Sequence, residues 1–144
     1  MKYCSSVAIL AQPKAYKIIV NYIKKYKQKE DGQPLFLPYR MAKCKSYLGE
    51  FYYIHWENVL WYKNFSFVRS IENALAKIKK NNRDEDGYGF KQVIIREDHY
   101  IKENFNTIEF YKYLYPVSTF EMGIGNYDFE YLNEFEYLNE GEII

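Results

Sequence analysis

Twice in this chain a buried-strand pattern leads directly into an amphipathic-helix pattern, and this pairing limits the possible folds more than any other feature. The first strand pattern covers residues 3–11, and Pro13 then takes a first-turn position where its missing N–H costs nothing. Apolar residues recur from there at three- and four-residue spacing. The members of this stripe are Ala15, Ile18, Ile19, Tyr22, Ile23 and Tyr26. The pattern predicts a helix that packs on one face of a sheet.

The second pairing begins with an aromatic strand pattern at residues 51–60, which follows a turn at Gly49. Asn64 or Ser66 can cap the next helix, because short polar side chains accept hydrogen bonds from the free N–H groups of a first turn. The apolar face of this helix consists of Val68, Ile71, Leu75 and Ile78. The chain therefore contains two strand–helix units of similar size.

Two more strand patterns complete an order that defines a fold class. Residues 35–43 form a poorer strand, which Pro38 restricts to an edge or a bulge, and residues 90–95 form a clear one. The order strand–helix–strand–strand–helix–strand is that of the ferredoxin-like split βαβ motif. It predicts an α+β fold with an antiparallel sheet and both helices on one face.

An extra strand and a tail follow this core. The strand is expected at residues 107–117 and to end at Pro116. We assign residues 1–120 to an α+β core domain and residues 121–144 to an acidic, aromatic C-terminal tail.

The tail contains a six-residue repeat, FEYLNEFEYLNE at residues 129–140. As a strand, the repeat has apolar and charged residues on both faces. As a helix at about 100° per residue, it places Tyr131, Leu132, Phe135 and Leu138 within an arc of about 120°. Gly141 suits the position after the last turn. We therefore predict an amphipathic helix over residues 128–140 that docks on the core, on a second copy or on a partner.

Some tail residues are predicted to contact that partner if the tail is a recognition element, in the way an amphipathic helix occupies a groove. They are Tyr131, Leu132, Glu134, Phe135 and Leu138.

Charge divides along the chain although the net charge is only +1. Residues 1–102 contain 19 Lys and Arg and 10 Asp and Glu, whereas residues 103–144 contain one basic residue, Lys112, and nine acidic ones. Either the two blocks neutralise each other within the fold, or they form two surfaces of opposite sign. The low net charge argues against a nucleic-acid mimic and against strong overall attraction to DNA.

The first helix also carries a basic set that can face nucleic acid. The lysines predicted for this role are Lys14, Lys17, Lys24 and Lys25. Ammonium groups would contact phosphates, and the interleaved tyrosines would stack on bases. Since the same tyrosines belong to the apolar stripe of the helix, a solvated lysine face is the alternative.

The pattern of polar residues predicts no cofactor, no metal site and no enzyme. The histidines and cysteines of the chain are Cys4, Cys44, His55 and His99. They lack the local pairing of strong zinc sites, and we expect His55 to be a hydrogen-bonded histidine within a strand. Glu97, Asp98 and His99 form a cluster at a strand end, where a buried carboxylate could act as a general base. A solvated turn is the alternative there.

The chain is expected to be a cytosolic protein. No stretch reaches the roughly 18 apolar residues of a membrane helix. The apolar run near the N-terminus resembles the start of a signal peptide, but Gln12, Pro13 and Lys14 interrupt it after about seven residues. Two cysteines are too few for a disulfide framework.

Three segments share a pattern with known sequences: WENVLWY at residues 56–62, FVRSIENALAKI at 67–78 and YGFKQVIIRED at 88–98. They resemble a family of small uncharacterised proteins of bacteriophages and prophages. That family has an aromatic strand of the form YW-x-x-V/I-x-WY, a helix, and a strand that ends in Arg-x-Glu-Asp. The resemblance covers residues 48–120, and this sequence departs from it at residues 92–96, where the family has Arg-Ile-Gly before Glu-Asp.

The resemblance implies an accessory protein encoded by a phage, a class that frequently blunts host defences or host enzymes by binding them. We therefore expect a non-enzymatic protein of the host cytoplasm that binds and inhibits a host protein. A defence nuclease complex is the expected target, which makes the chain a counter-defence (anti-CRISPR) candidate. The alternatives are binding of nucleic acid or of a nucleotide signal through the Lys-rich helix, and catalysis at the turn of residues 97–99. A second copy of the chain is another candidate partner, and no membrane partner is expected.

Overall fold

The computed structural model describes residues 2–29, 38, 40–46, 49–81, 87–107, 114–118, 121–124 and 128–131, and every structural statement below concerns these residues. In chain order the elements are β1 (Ser5–Ala11), α1 (Pro13–Lys29), β2 (Arg40–Ser46), β3 (Gly49–Val59), α2 (Ser66–Asn81), β4 (Phe90–Arg96), β5 (Ile101–Phe105), β6 (Leu114–Ser118), β7 (Glu121–Ile124) and β8 (Asp128–Tyr131).

Six of the strands form one sheet, in the order β5-β4-β1-β3-β2-β8, and each neighbouring pair is antiparallel. The four central strands have the order β4-β1-β3-β2, with α1 between β1 and β2 and α2 between β3 and β4. This is the ferredoxin-like split βαβ arrangement. The predicted α+β fold class is therefore confirmed, and β5 and β8 extend the sheet at its two edges.

The two helices cover one face of the sheet, as their apolar stripes predict. Every residue named for the α2 stripe is buried, and so are Ala15, Ile19 and Ile23 of α1. Trp56 of β3 packs between Trp61 and Phe67, with ring centroids 5.1 and 6.1 Å away. Since burial of one large apolar side chain is worth about 1.5–3 kcal/mol, this layer is the main source of stability.

A second, smaller apolar cluster lies on the opposite face. Its members are Ala8, Leu10, Ala42, Phe51, Tyr53, Val93, Ile95 and Leu114. Leu114 belongs to β6, which pairs only with β7 in a separate two-stranded sheet and packs against β4. The six-stranded sheet is therefore covered by helices on one face and by a β hairpin on the other.

The start of the tail is a strand, which corrects the helix predicted over residues 128–140. β8 pairs with β2, with Tyr131 opposite Ala42 and Phe129 opposite Cys44. The outer edge of β2 carries backbone groups that a further strand can pair, and this pairing outweighs the preference for a helix. Residues 132–140 of the predicted helix lie outside the described part of the chain.

The predicted strand at residues 107–117 also differs from the structure. Thr107 is not part of a strand, and Pro116 lies inside β6 instead of ending it. The pairing of β6 with β7 is irregular between Pro116 and Ser118, and such irregular places tolerate a residue without an N–H. Residues 108–113 lie outside the described ranges. β5, which follows β4 in the chain and pairs with it, was not predicted.

Candidate functional site

The four lysines predicted to face nucleic acid lie on one side of α1. At about 100° per residue, Lys14, Lys17, Lys24 and Lys25 fall within an arc of about 100°. Three are exposed and Lys24 is half-buried. The ammonium groups of Lys14 and Lys25 each lie over a tyrosine ring of this chain, 5.5 and 5.6 Å from its centroid. Lys17 and Lys24 have no ion-pair partner among the described residues.

The tyrosines of α1 do not supply the stacking half of that predicted face. Tyr16 is 1% exposed and stacks on Tyr52 of β3, with ring centroids 4.0 Å apart. Tyr22 is half-buried against the apolar core. The side chain of Tyr26 lies outside the described residues. This surface therefore offers ammonium groups to a phosphate backbone, whereas Tyr16 is closed to bases.

The helix layer as a whole is basic. The two helices carry ten Lys and Arg residues and one acidic residue, Glu72. One carboxylate oxygen of Glu72 accepts hydrogen bonds from Trp61 Nε1 at 2.8 Å and from Gln92 Nε2 at 3.0 Å. Because Gln92 belongs to β4, that carboxylate is engaged towards the sheet and does not neutralise the outer lysines.

The described parts of the acidic C-terminal segment belong to four strands, and one of these strands, β5, contacts the helix layer through a hydrogen bond from Lys79 Nζ to Asn104 Oδ1 at 3.0 Å. They are β5 and β8 at the two edges of the sheet and β6–β7 on its second face. Glu103 pairs with Lys91 at 3.0 Å, and Asp128 and Glu130 lie opposite Lys45 and Lys43 in the pairing of β8 with β2. Of the two arrangements of charge left open by the sequence, these positions favour neutralisation within the fold.

Among the residues predicted to contact a partner, Tyr131 ends β8 opposite Ala42. Leu132, Glu134, Phe135 and Leu138 fall outside the described chain, so their role stays a prediction.

The turn of Glu97, Asp98 and His99 is a structural hairpin between β4 and β5. Asp98 accepts two hydrogen bonds from the Arg96 guanidinium, at 2.7 and 2.9 Å, and hydrogen bonding to Arg96 is the main reason why the pKa of Asp98 is lowered. Glu97 accepts a hydrogen bond from the backbone N–H of Cys4 at 2.9 Å. His99 has a φ of 70°, as a tight turn requires. Both carboxylates hold the backbone in place, which favours the solvated turn over a general base.

His55 is the centre of a buried polar network on the second face. Its Nε2 lies 2.8 Å from Ser6 Oγ, and its Nδ1 lies 3.0 Å from the Tyr53 hydroxyl. Burial, and to a smaller extent the charge of Arg40, lowers the pKa of His55 to about 4. The imidazole is therefore neutral at pH 7, although Glu57 lies 4.0 Å away. The expected hydrogen-bonded strand histidine is confirmed, and Ser6 is too deeply buried to meet a substrate.

A bulge in β3 accompanies this network. The register with β1 passes from Ser5 opposite Val59 to Val7 opposite Trp56, so β3 has one extra residue opposite Ser6. Asn58 takes a φ of 54° there, a conformation that asparagine tolerates better than most residues. Bulges change the direction of side chains locally, which fits the diagonal contact between Ser6 and His55.

A cleft of about 150 Å³ lies between α2 and the β4–β5 hairpin. Trp61, Val68 and Ile94 form apolar walls, and the carboxylate of Glu72 lies among them. The basic residues that line it are Lys63, Arg96 and Lys102. Sequence patterns did not predict this cleft, since its residues come from four separate parts of the chain. The only local signal was the polar Glu72 beside the apolar face of a helix.

Within the described ranges, no group of three or more His, Cys, Asp and Glu side chains is placed to hold a metal ion. The same residues include no helix with the length and hydropathy needed to cross a membrane.

Comparison of this chain with protein-family models, with characterised proteins and with solved structures found no match. The resemblance to phage and prophage proteins thus rests on the three sequence segments alone and stays a prediction.

Proposed function

We propose that the protein is a non-enzymatic accessory protein of a phage or prophage that binds and inhibits a host protein in the host cytoplasm. The observation that carries this proposal is the basic helix layer, whose two helices contain ten Lys and Arg residues and one acidic residue. A defence nuclease complex presents both phosphates and the basic protein surface that holds them. A binder with a basic helix layer can contact those phosphates, so we name such a complex as the target.

The contacts of the polar clusters support a binding protein over an enzyme. Glu97 accepts a hydrogen bond from the backbone N–H of Cys4, and Asp98 accepts one from the guanidinium of Arg96 in its own hairpin. The Ser6–His55 pair is buried and holds a neutral imidazole. These contacts account for both clusters through the fold, without a reaction.

The test is phage plating on a host that carries an active RNA-guided nuclease. Expression of the chain should raise the plating efficiency, and the purified chain should co-elute with the purified nuclease complex. A Lys17→Glu, Lys24→Glu, Lys25→Glu variant reports whether the basic side takes part. If the wild-type chain neither raises plating nor co-elutes with the complex, the proposed function is wrong.

A second function, binding of nucleic acid or of a nucleotide signal through α1, is favoured by one specific observation. Lys14, Lys17, Lys24 and Lys25 share a face of a helix that contains no acidic residue. Such a surface binds phosphates by releasing counterions, and its affinity therefore falls steeply with salt.

The matched comparison for this second function uses both helices. The triple charge reversal at Lys17, Lys24 and Lys25 should abolish binding of a single-stranded oligonucleotide and flatten its salt dependence. Lys77→Glu with Lys80→Glu changes charge on exposed positions of α2 and should weaken binding much less. Equal effects of the two variants would mean diffuse attraction, and unchanged binding by the triple variant would remove α1 as the site.

A further inference from the structure

The cleft between α2 and the β4–β5 hairpin has an inner end that accepts hydrogen bonds. Glu72 has one oxygen engaged by Trp61 and Gln92, and its other oxygen has no partner among the described residues. Glu72 is half-buried and lines the cleft, and an ionised carboxylate oxygen accepts hydrogen bonds. This end of the cleft therefore suits a ligand group that donates hydrogen bonds.

The mouth of the cleft is positively charged. Lys63 and Lys102 are exposed, and neither ammonium group has a partner within the described chain. Arg96 lies beside them with its guanidinium held by Asp98 and placed over the ring of Tyr100, 4.5 Å from the centroid. Flexible, unpaired lysines beside a fixed arginine suit an anionic group such as phosphate.

Size and wall chemistry restrict what lies between these ends. A cavity of about 150 Å³ holds one benzene-sized ring, which matches the volume of the cleft. Its walls of Trp61, Val68 and Ile94 are apolar and suit the faces of a planar ring. The complementary ligand is a single planar ring with a donating edge and an anionic substituent.

We propose that this cleft binds a cytosine-type nucleobase that carries a phosphate. The exocyclic amino group of cytosine donates hydrogen bonds to carboxylate acceptors, and here it donates to the second oxygen of Glu72. Uracil presents a carbonyl oxygen at the same position, which repels that carboxylate. Guanine needs both oxygens of a carboxylate for its two adjacent donors, and one of them is already occupied. The phosphate lies at the mouth, near Lys63 and Lys102.

The site is separate from both proposed functions, because it lies on neither the outer face of α1 nor the tail. Its test therefore uses the purified full-length chain alone. Equilibrium dialysis and tryptophan fluorescence measure CMP and UMP binding. We expect a dissociation constant for CMP of about 1 mM or below and roughly tenfold weaker binding of UMP, since a hydrogen bond to a charged acceptor is lost. Equal binding of CMP and UMP, or binding of neither, overturns the proposal.

Glu72→Gln provides the sharpest variant. The glutamine keeps an oxygen for Trp61 and Gln92 and replaces the free oxygen with an amide donor, so the preference should shift from CMP towards UMP. If this variant binds with an unchanged CMP-to-UMP ratio, Glu72 does not read the base and the proposal is wrong. Circular dichroism checks that the fold is kept, and a misfolded Glu72→Gln leaves the wild-type ratio as the deciding measurement.

Charge reversal at the mouth tests the phosphate. The double variant Lys63→Glu, Lys102→Glu should weaken CMP binding by about tenfold or more and leave cytidine binding unchanged, because only CMP carries the phosphate. The matched control is Lys77→Glu with Lys80→Glu, which makes the same charge change on exposed residues outside the cleft. Equal losses for both double variants would contradict a local phosphate position.

Free nucleotides and single-stranded nucleic acid both offer this chemistry, and an oligocytidine separates them. The ligand is nucleic acid if the oligocytidine binds much more tightly than CMP and the triple variant at Lys17, Lys24 and Lys25 weakens binding of the oligocytidine only. Equal affinities identify a free nucleotide. Either result supports the base-reading site, whereas an oligocytidine affinity that does not change with Glu72→Gln opposes it.

Discussion

The two faces of the central sheet are built differently, although alternate residues of the same strands supply both. On β1, Ile9 faces the helices and Leu10 faces the other side, and each is fully buried. The helix-covered face holds two tryptophans and a continuous apolar cluster. The second face has a smaller apolar cluster and also buries His55, Ser6 and the ammonium group of Lys91. One face thus supplies apolar packing, and the other adds buried polar contacts.

This difference indicates that the two faces contribute to the stability of the fold in different ways. Two amphipathic helices can exclude water from a sheet face by apolar contact alone. A short hairpin such as β6–β7 buries less apolar area, so polar groups remain beneath it and must be paired inside the protein. Buried polar pairs contribute less net free energy than apolar packing, but they are costly to break. We therefore expect the two faces to respond differently to the same substitution.

The largest effect is expected from matched truncations on β1. Both Ile9→Ala and Leu10→Ala remove a fully buried side chain of the same size, which costs about 2–5 kcal/mol depending on how far the site can collapse. On the helix-covered face large rings limit collapse around the site, so the stability loss from Ile9→Ala should be about 4–5 kcal/mol. The hairpin over Leu10 can move inwards, so Leu10→Ala should fall near 2–3 kcal/mol. Urea denaturation measures both, and a larger loss for Leu10→Ala would reverse the assignment of the two faces.

The second prediction concerns acid. The pKa of His55 is lowered from 6.5 to about 4 in the folded chain. Between pH 6.5 and pH 4, the unfolded chain therefore binds a proton at this residue and the folded chain does not. Stability should therefore be full above pH 6.5 and should fall by about 3 kcal/mol as the pH drops to 4. The charged residues next to the ring are Arg40, whose charge contributes to the lowered pKa, and Glu57, 4.0 Å from Nε2.

The matched variant for this prediction is His55→Gln. It keeps a polar group near Ser6 and has no proton to take up, so its starting stability is lower but its stability should change little between pH 6.5 and 4. An equally steep profile for the variant would place the acid-sensitive group elsewhere.

The third effect is smaller and concerns the ion pair of Lys91 and Glu103, whose charged atoms lie 3.0 Å apart. Lys91 is fully buried, whereas the side chain of Glu103 is 31% exposed. Loss of one partner of a fully buried pair costs about 3–5 kcal/mol, but water can reach the carboxylate left by Lys91→Met, so about 1–2 kcal/mol is expected. Adding Glu103→Gln should recover part of the loss. A double variant less stable than Lys91→Met would show that the pair is not the main contact of either residue.

Sequence patterns predicted the elements whose burial repeats along the chain. β1, α1, β3, α2 and β4 have apolar residues at strand or helix spacing because each buries one continuous face. β5 was missed because the segment IKENF has no such face: Ile101 is 48% exposed, and Lys102 and Glu103 are charged. A solvated edge strand is defined by its neighbour, β4, and not by its own side chains.

The tail and the cleft show the same limit. The helical spacing at residues 128–131 is real, but β2 offers those residues backbone partners that no local pattern reveals. The cleft brings together Trp61, Glu72 and Lys102 from separate elements, so its chemistry exists only after folding. The lysines of α1 were predicted, since one helix places them on one face.

The smallest effect is expected from the edge of the sheet, where truncation after Gly125 removes β8. Each backbone hydrogen bond contributes a net 0.5–1.5 kcal/mol or so, and ordering each residue costs about 1–2 kcal/mol. Four paired residues therefore nearly cancel, and the loss should be about 1 kcal/mol or less if β8 alone anchors the tail. A stability loss of several kcal/mol in urea denaturation would mean that residues 132–144 belong to the core and stabilise the second face of the sheet. An unchanged fold that no longer co-elutes with a nuclease complex would make the tail the recognition element, which is the role predicted for Leu132, Phe135 and Leu138.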